Sequence, residues 1–183
     1  MVLTGASSGG PGQIQKIVSS LAKLTDTSVI IAQHMVEGFF PSFASTLQKN
    51  TVNTIEIIQN NQVLEASKIY LGEGLTCLDA RQVRFIKKTA SLNGYNPDIN
   101  TLFKAFVSFD KECKILCVIL TGIGSDGVDA CKALASNGAI CITESKSSAI
   151  VDGMPKRARA LVPNIKVHEM DEIIQAINEF CDV

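Results

Sequence analysis

Twice along this chain a short apolar run breaks off in a glycine-rich turn and gives way to an amphipathic stretch: Val2-Leu3 into GASSGG, and KILCVILTG into GIGSDG. After the first turn, Ile14, Ile17, Val18, Leu21 and Ala22 recur at the spacing of one helix face over residues 11–23, behind a proline where a helix start tolerates one. SVIIAQH reads as a second buried strand because it is short, continuous and β-branched. Residues 38–47 read as a helix with Pro41 in its first turn. Strand, helix and strand in succession imply a parallel sheet.

The middle breaks this rhythm. TIEII, KIYLG, LTCLD and VRFIKK are short strand-like pieces, expected to form an antiparallel edge or flap, with a hairpin turn near residues 79–82 between the last two. The polar loop TASLNGYNPDIN is expected near the rim of the site, with Asp98 or Asn100 capping a helix that carries Leu102, Phe103, Phe106 and Val107. The α/β rhythm resumes with a helix from about 128 to 136, the strand AICITE and a short helix beginning near Met154. A last helix has Ile173, Ile174, Ile177 and Phe180 on one side. The expected fold class is α/β: a doubly wound, mainly parallel sheet with helices on both faces and a small antiparallel edge or hairpin, as one domain over residues 1–183.

Composition narrows the function. With 17 basic and 18 acidic residues and no block of either sign, the chain lacks the electrostatic footprint of a nucleic-acid or anionic-membrane binder. Its six cysteines contain no CxxC pair and mostly sit in apolar runs such as ILCVIL, so reduced core thiols are expected rather than zinc ligands or disulfides. The apolar run 115–120 is too short to span a bilayer, and no basic segment followed by an apolar stretch opens the chain. A cytoplasmic protein without cofactor or metal is expected. Lys156, Arg157 and Arg159 form a short basic cluster that reads as a solvated helix face.

GASSGG could cradle a phosphate or present a serine nucleophile. A dinucleotide site calls for GxGxxG and an acidic residue ending the second strand; here the spacing differs and that strand ends in Gln33-His34. No GxxxxGK[ST] exists either. A nucleophile needs an exposed hydroxyl on a tight turn, small neighbours and backbone N–H groups aimed at the developing oxyanion, and the stretch supplies small residues throughout, at the start of a helix whose dipole favours negative charge. Either Ser7 or Ser8 satisfies this, and so does a plain helix cap. Of the two histidines, His34 stands at a strand's C-terminal end, where open parallel sheets bind ligands; His168 precedes an amphipathic helix and reads as solvated. The carboxylate to orient an imidazole is best sought in Asp126 of GIGSDG, with Asp110, Asp129, Asp152 and Glu144 in weaker contexts.

GASSGG, IIAQHM with GFFPSFASTL, VILTGIGSDG and TESKSSAIVDGMPKRA together resemble, in order and spacing, the catalytic domain of the chemotaxis protein-glutamate methylesterases, the CheB family. The resemblance runs from about residue 2 to residue 163. It implies Ser7 as nucleophile, His34 as base and Asp126 as its carboxylate partner, with the backbone N–H groups of Ser8 and Ile123 forming the oxyanion hole. It also implies hydrolysis of γ-glutamyl methyl esters on the cytoplasmic helices of methyl-accepting chemoreceptors, with deamidation of receptor glutamines as a second activity. Family members usually carry a receiver domain ahead of this region, whereas this chain starts immediately before the first catalytic strand; a naturally receiver-less form is expected to act without phosphorylation. Where the family often reads RPSxDxLF this chain reads NPDINTLF, so Asn96, Asp98 and Asn100 change the charge near the expected rim. The alternatives are a small-molecule serine esterase or amidase and a non-catalytic anion or nucleotide-binding module.

Overall fold

The computed structural model describes residues 1–88, 94–109 and 113–182. Part of the polar loop before Tyr95, and Asp110 among the candidate carboxylates, lie outside the described residues. Along the chain the elements are β1 (Val2–Ala6), α1 (Gly10–Ser20), β2 (Val29–Gln33), α2 (Phe40–Gln48), β3 (Thr54–Ile57), β4 (Lys68–Leu71), β5 (Leu75–Asp79), β6 (Arg84–Lys88), α3 (Ile99–Lys104), β7 (Leu116–Ile119), α4 (Val128–Ser136), β8 (Ile140–Glu144), α5 (Met154–Leu161), β9 (Lys166–His168) and α6 (Met170–Cys181).

Seven strands form one sheet in the order β3-β4-β2-β1-β7-β8-β9, and every pairing between them is parallel. Side chains alternate across it, so each strand feeds two cores. Val2, Ala6, Val29, Ile31, Val118 and Ile142 face α1, α2 and α6, which contribute Ile14, Val18, Leu47, Ile173 and Ile177. Leu3, Ile30, Cys117, Ile119 and Cys141 face α3, α4 and α5, which contribute Phe103, Leu134 and Ala158. Covering both faces accounts for near-continuous apolar strands such as LCVI.

The middle of the chain divides differently from the sequence-based expectation. LTCLD and RFIKK do form an antiparallel hairpin, β5 with β6. TIEI and KIYL do not join it: β3 and β4 extend the parallel sheet beyond β2. The reason is burial, because Ile69, Tyr70 and Leu71 are all but inaccessible, and a four-residue run carries no mark of its partner's direction. Strand β9 was not foreseen either. It is three residues long, with Lys166 and Val167 exposed, and leaves no hydrophobic signature. Of the cysteines, Cys117, Cys131 and Cys141 are buried, while Cys77, Cys113 and Cys181 are only partly so.

Strand order sets the location of the site. From β1 the chain moves to β2 on one side and later returns to place β7 on the other, so a topological switch point lies at the carboxyl end of β1, where such sheets open a crevice.

Candidate active site

Sheet register carries Ser7 and His34 to the same level. Ala6 pairs with Gln33 in the last step of the β1–β2 ladder, and the next residues on the two strands are Ser7 and His34. The His34 N–H then bonds the Ala6 carbonyl (3.0 Å), and the Ser7 N–H bonds the Thr121 carbonyl just past β7 (2.9 Å). The two serines do not cap α1: the cap residue is Gly9, in the left-handed region at φ 84°, and no side chain bonds the helix start. The Ser7 hydroxyl instead faces the ring of His34, with Oγ 3.1 Å from Nδ1.

The other ring nitrogen, Nε2, lies 2.7 Å from Asp126 Oδ2. Asp126 is buried at 3% exposure and does not cap the helix that follows it, whose cap is Gly127 without a side-chain bond. It reaches across to α3 and accepts the N–H of Ile99 on Oδ2 (2.9 Å) and of Asn100 on Oδ1 (3.0 Å). These are first-turn donors with no partner inside their own helix, so the loop carboxylate and the start of α3 satisfy each other. With donors converging on its oxygens, Asp126 is placed to accept an Nε2–H, and in that tautomer the lone pair of Nδ1 faces Ser7.

Asp98 caps α3 as expected, accepting the Thr101 N–H at 2.8 Å, while the Asn100 side chain accepts the Ala130 N–H of α4 at 2.9 Å. Asn96 binds on both sides: its carbonyl takes the Met35 N–H (2.8 Å) and its side chain the Gly74 N–H (2.7 Å). Asp98 is almost fully buried, so these three positions tie loops together rather than set the charge of the rim.

Ser8 and Ile123 flank the crevice. Among the described residues, neither the Ser8 N–H nor the Ile123 N–H has a hydrogen-bond acceptor. Between them lies Gly122, whose contact with Ser7 is so close that an added Cβ would stand 2.7 Å from the Ser7 Cβ. Gly122→Ala is therefore expected to push the Ser7 turn away from β7 and to lower stability by about 1–3 kcal/mol, the usual cost of overpacking. A denaturant titration measures it, and a wild-type midpoint would contradict the contact.

Three further residues support this arrangement, and sequence reasoning missed them. Gln33 is buried and donates its amide to the carbonyls of Ser7 (2.9 Å) and His34 (2.8 Å), clamping the two strand ends. Thr121 donates its hydroxyl to the Ser8 carbonyl (2.9 Å) and accepts the Val151 N–H (2.8 Å). Tyr95 stacks flat on His34, with ring centroids 4.7 Å apart and planes 6° from parallel. Gln33, a polar residue ending a buried strand, could have been suspected; the loop carrying Tyr95 was expected at the rim, but nothing in it singles out Tyr95.

The remaining candidates lie elsewhere. Glu144 is fully buried; it accepts the Thr121 N–H (2.9 Å), the Ser148 hydroxyl (2.8 Å) and the Gln13 amide, and burial pushes its carboxyl above the usual range. Asp152 is held by Arg159, whose Nη2 donates to both its oxygens (2.7 and 2.6 Å), and Nη1 of the same guanidinium binds the Glu144 carbonyl (2.8 Å). Arg159 is thus not part of a solvated face, whereas Lys156 and Arg157 are exposed. Asp129 lies in the first turn of α4, and the imidazole is bonded to Asp126 instead. His168 is 3.5 Å from Glu172 and lines a cavity of about 720 Å³ with Met1, Leu116 and Ile140, among the strand starts opposite the crevice. No group of three or more metal-ligating side chains occurs among the described residues.

A serine hydroxyl, an imidazole and a buried carboxylate in line at the switch point of a parallel sheet is the arrangement that serine hydrolases use. The family model described as CheB methylesterase matches residues 2–177, and the chain belongs to that family. It is 30% identical over 181 residues to protein-glutamate methylesterase/protein-glutamine glutaminase 1 of Saccharophagus degradans, covering 97% of this chain and 49% of that protein. A similarly named protein of Oceanobacillus iheyensis is 32% identical over 184 residues, covering 95% and 52%. The chain thus spans about half the length of these curated relatives. Its fold matches the crystal structure of the Thermotoga maritima CheB methylesterase catalytic domain with a TM-score of 0.86 and 25% identity, over 98% of this chain and 97% of that one.

Proposed function

We propose that this chain hydrolyses γ-glutamyl methyl esters on the cytoplasmic helices of chemoreceptors, releasing methanol, and deamidates receptor glutamines at the same site. The observation that carries the reading is the run of contacts from Ser7 Oγ to His34 Nδ1 and from His34 Nε2 to Asp126. His34 takes the Ser7 proton as Oγ attacks the γ-carbonyl, and the Ser8 and Ile123 N–H groups hold the oxyanion. Collapse of the tetrahedral intermediate expels methanol, or ammonia from a glutamine, with the proton returned from His34. Water, deprotonated by the same imidazole, then cleaves the acyl-enzyme to leave glutamate and free Ser7.

The rim offers exposed apolar side chains to a polypeptide substrate. Val36, Phe39, Ile123 and Ile150 expose 61–70% of their surface around the crevice, Ile150 packing against Gly9 beside Ser8. No helix among the described residues is long and apolar enough to cross a membrane, and the reading places the protein in the cytoplasm, acting on receptors from that side.

The test is methanol release from methylated chemoreceptor membranes incubated with the protein. Steady release supports the reading; none, with folded protein, would refute it. Tyr95→Ala is expected to lower turnover about two- to tenfold, since a stacked ring pair is worth about 0.5–1.5 kcal/mol. Tyr95→Phe keeps the stack and should restore the rate; equal rates for Ala and Phe variants would assign Tyr95 no part in holding the imidazole.

A further inference from the structure

Beside the GIGSDG loop lies a recess of about 530 Å³ lined by Gly124, Gly153, Lys156, Arg157 and Ala160. It adjoins the crevice through two glycine contacts. A Cβ on Gly153 would stand 3.2 Å from the Ile123 Cα and 3.3 Å from the Gly124 N, and Gly122 in turn touches Ser7. The cations on this wall are one short loop away from the N–H of Ile123.

Lys156 and Arg157 are exposed and, among the described residues, neither is in an ion pair. The two acids that flank this stretch of the chain are committed elsewhere: Asp152 to Arg159, and the buried Glu144 to Thr121, Ser148 and Gln13. Arg159 holds the loop, while its two neighbours on the same helix are left facing a concavity. The start of α5 does not supply the site, because the Gly153 and Met154 N–H groups both bond the Gly122 carbonyl (3.1 and 2.8 Å). The recess therefore offers an anion two side-chain cations on a preformed wall.

We propose that this recess is a subsite for a carboxylate side chain of the polypeptide substrate, Asp or Glu, lying a few residues from the one that reacts. This rests on the hydrolase reading of Ser7. A methyl ester or amide is neutral and draws nothing from the cations before reaction, so they act on a flanking residue and select which glutamyl position enters the crevice. The attraction is between exposed groups and is screened by salt.

The test uses helical peptides with a glutamate γ-methyl ester at the reacting position and Glu or Gln in turn at each of the four positions on either side. For at least one position the Glu peptide is expected to show a kcat/KM about three- to tenfold above its Gln counterpart, carried by KM. That ratio should fall toward one in Lys156→Gln/Arg157→Gln and in 0.5 M NaCl, and should persist in Lys16→Gln on α1. Fluorescence anisotropy of the same peptides on the Ser7→Ala protein reads the subsite without turnover. Turnover with no charge preference at any position would overturn the subsite and leave the hydrolase reading standing. A binding preference abolished by the double variant, without hydrolysis in the wild type, would support the subsite and overturn the reading. A preference that survives the double variant would assign it to other residues and refute the proposal.

Discussion

Ser7→Ala is expected to lower methanol release by about four to six orders of magnitude while leaving the fold and peptide binding intact. The hydroxyl makes one side-chain contact, with His34 Nδ1, and caps nothing, so its removal takes away the proposed attacking atom and little else. The backbone bonds that shape the turn, Ser7 N–H to the Thr121 carbonyl and Gly10 N–H to the Ser7 carbonyl, survive the substitution. The measurement is methanol release at equal protein concentration, with a thermal melt to confirm folding. A variant that keeps more than a few per cent of the rate would remove Ser7 from the chemistry. Loss of rate together with loss of binding would assign the serine to recognition instead.

Asp126→Asn should cost about four orders of magnitude in kcat, with KM much less affected. The substitution keeps the shape and destroys the hydrogen-bond polarity. Asp126 now receives three donors: the His34 ring and the Ile99 N–H on Oδ2, and the Asn100 N–H on Oδ1. An amide has one oxygen, so whichever way it turns, its NH₂ faces a donor. If the oxygen serves Asn100, the amide presses the imidazole to carry its proton on Nδ1, where it opposes the Ser7 hydroxyl. If the oxygen serves His34, the Asn100 N–H is left unpaired at the start of α3, at a cost of about 1–3 kcal/mol. The variant should therefore lose rate, stability or both, and kinetics paired with a denaturant titration separates the two. An Asn variant with wild-type kcat would remove Asp126 from the orientation of His34.

Much of the sheet was legible because its strands are buried on both sides. VIIAQ and LCVI are continuous apolar runs, and the turn after each is marked by small or polar residues. Helix α4 was readable to its ends, since its apolar positions fall on one face behind a glycine-rich loop. Direction and partner were not legible for β3 and β4, nor was the existence of β9, because a run of four residues, or of three with two of them exposed, carries no pairing code. The basic cluster near residue 157 read as one solvated face, and the fold splits it: Arg159 is drawn into Asp152 and Glu144, while Lys156 and Arg157 remain on the recess.

Local chemistry in the sequence determined that a serine, a histidine and an aspartate each follow a strand, because strands, tight turns and helix starts are written in short windows. Left open there were which serine faces the imidazole, which ring nitrogen it meets, and that Tyr95 stacks on the ring. Those depended on the register of β1 against β2, on the passage of Asp126 to the start of α3 and on the close contact of Gly122 with Ser7. Each joins residues dozens of positions apart, and only the packing of the whole sheet with its helices brings such residues within hydrogen-bond distance.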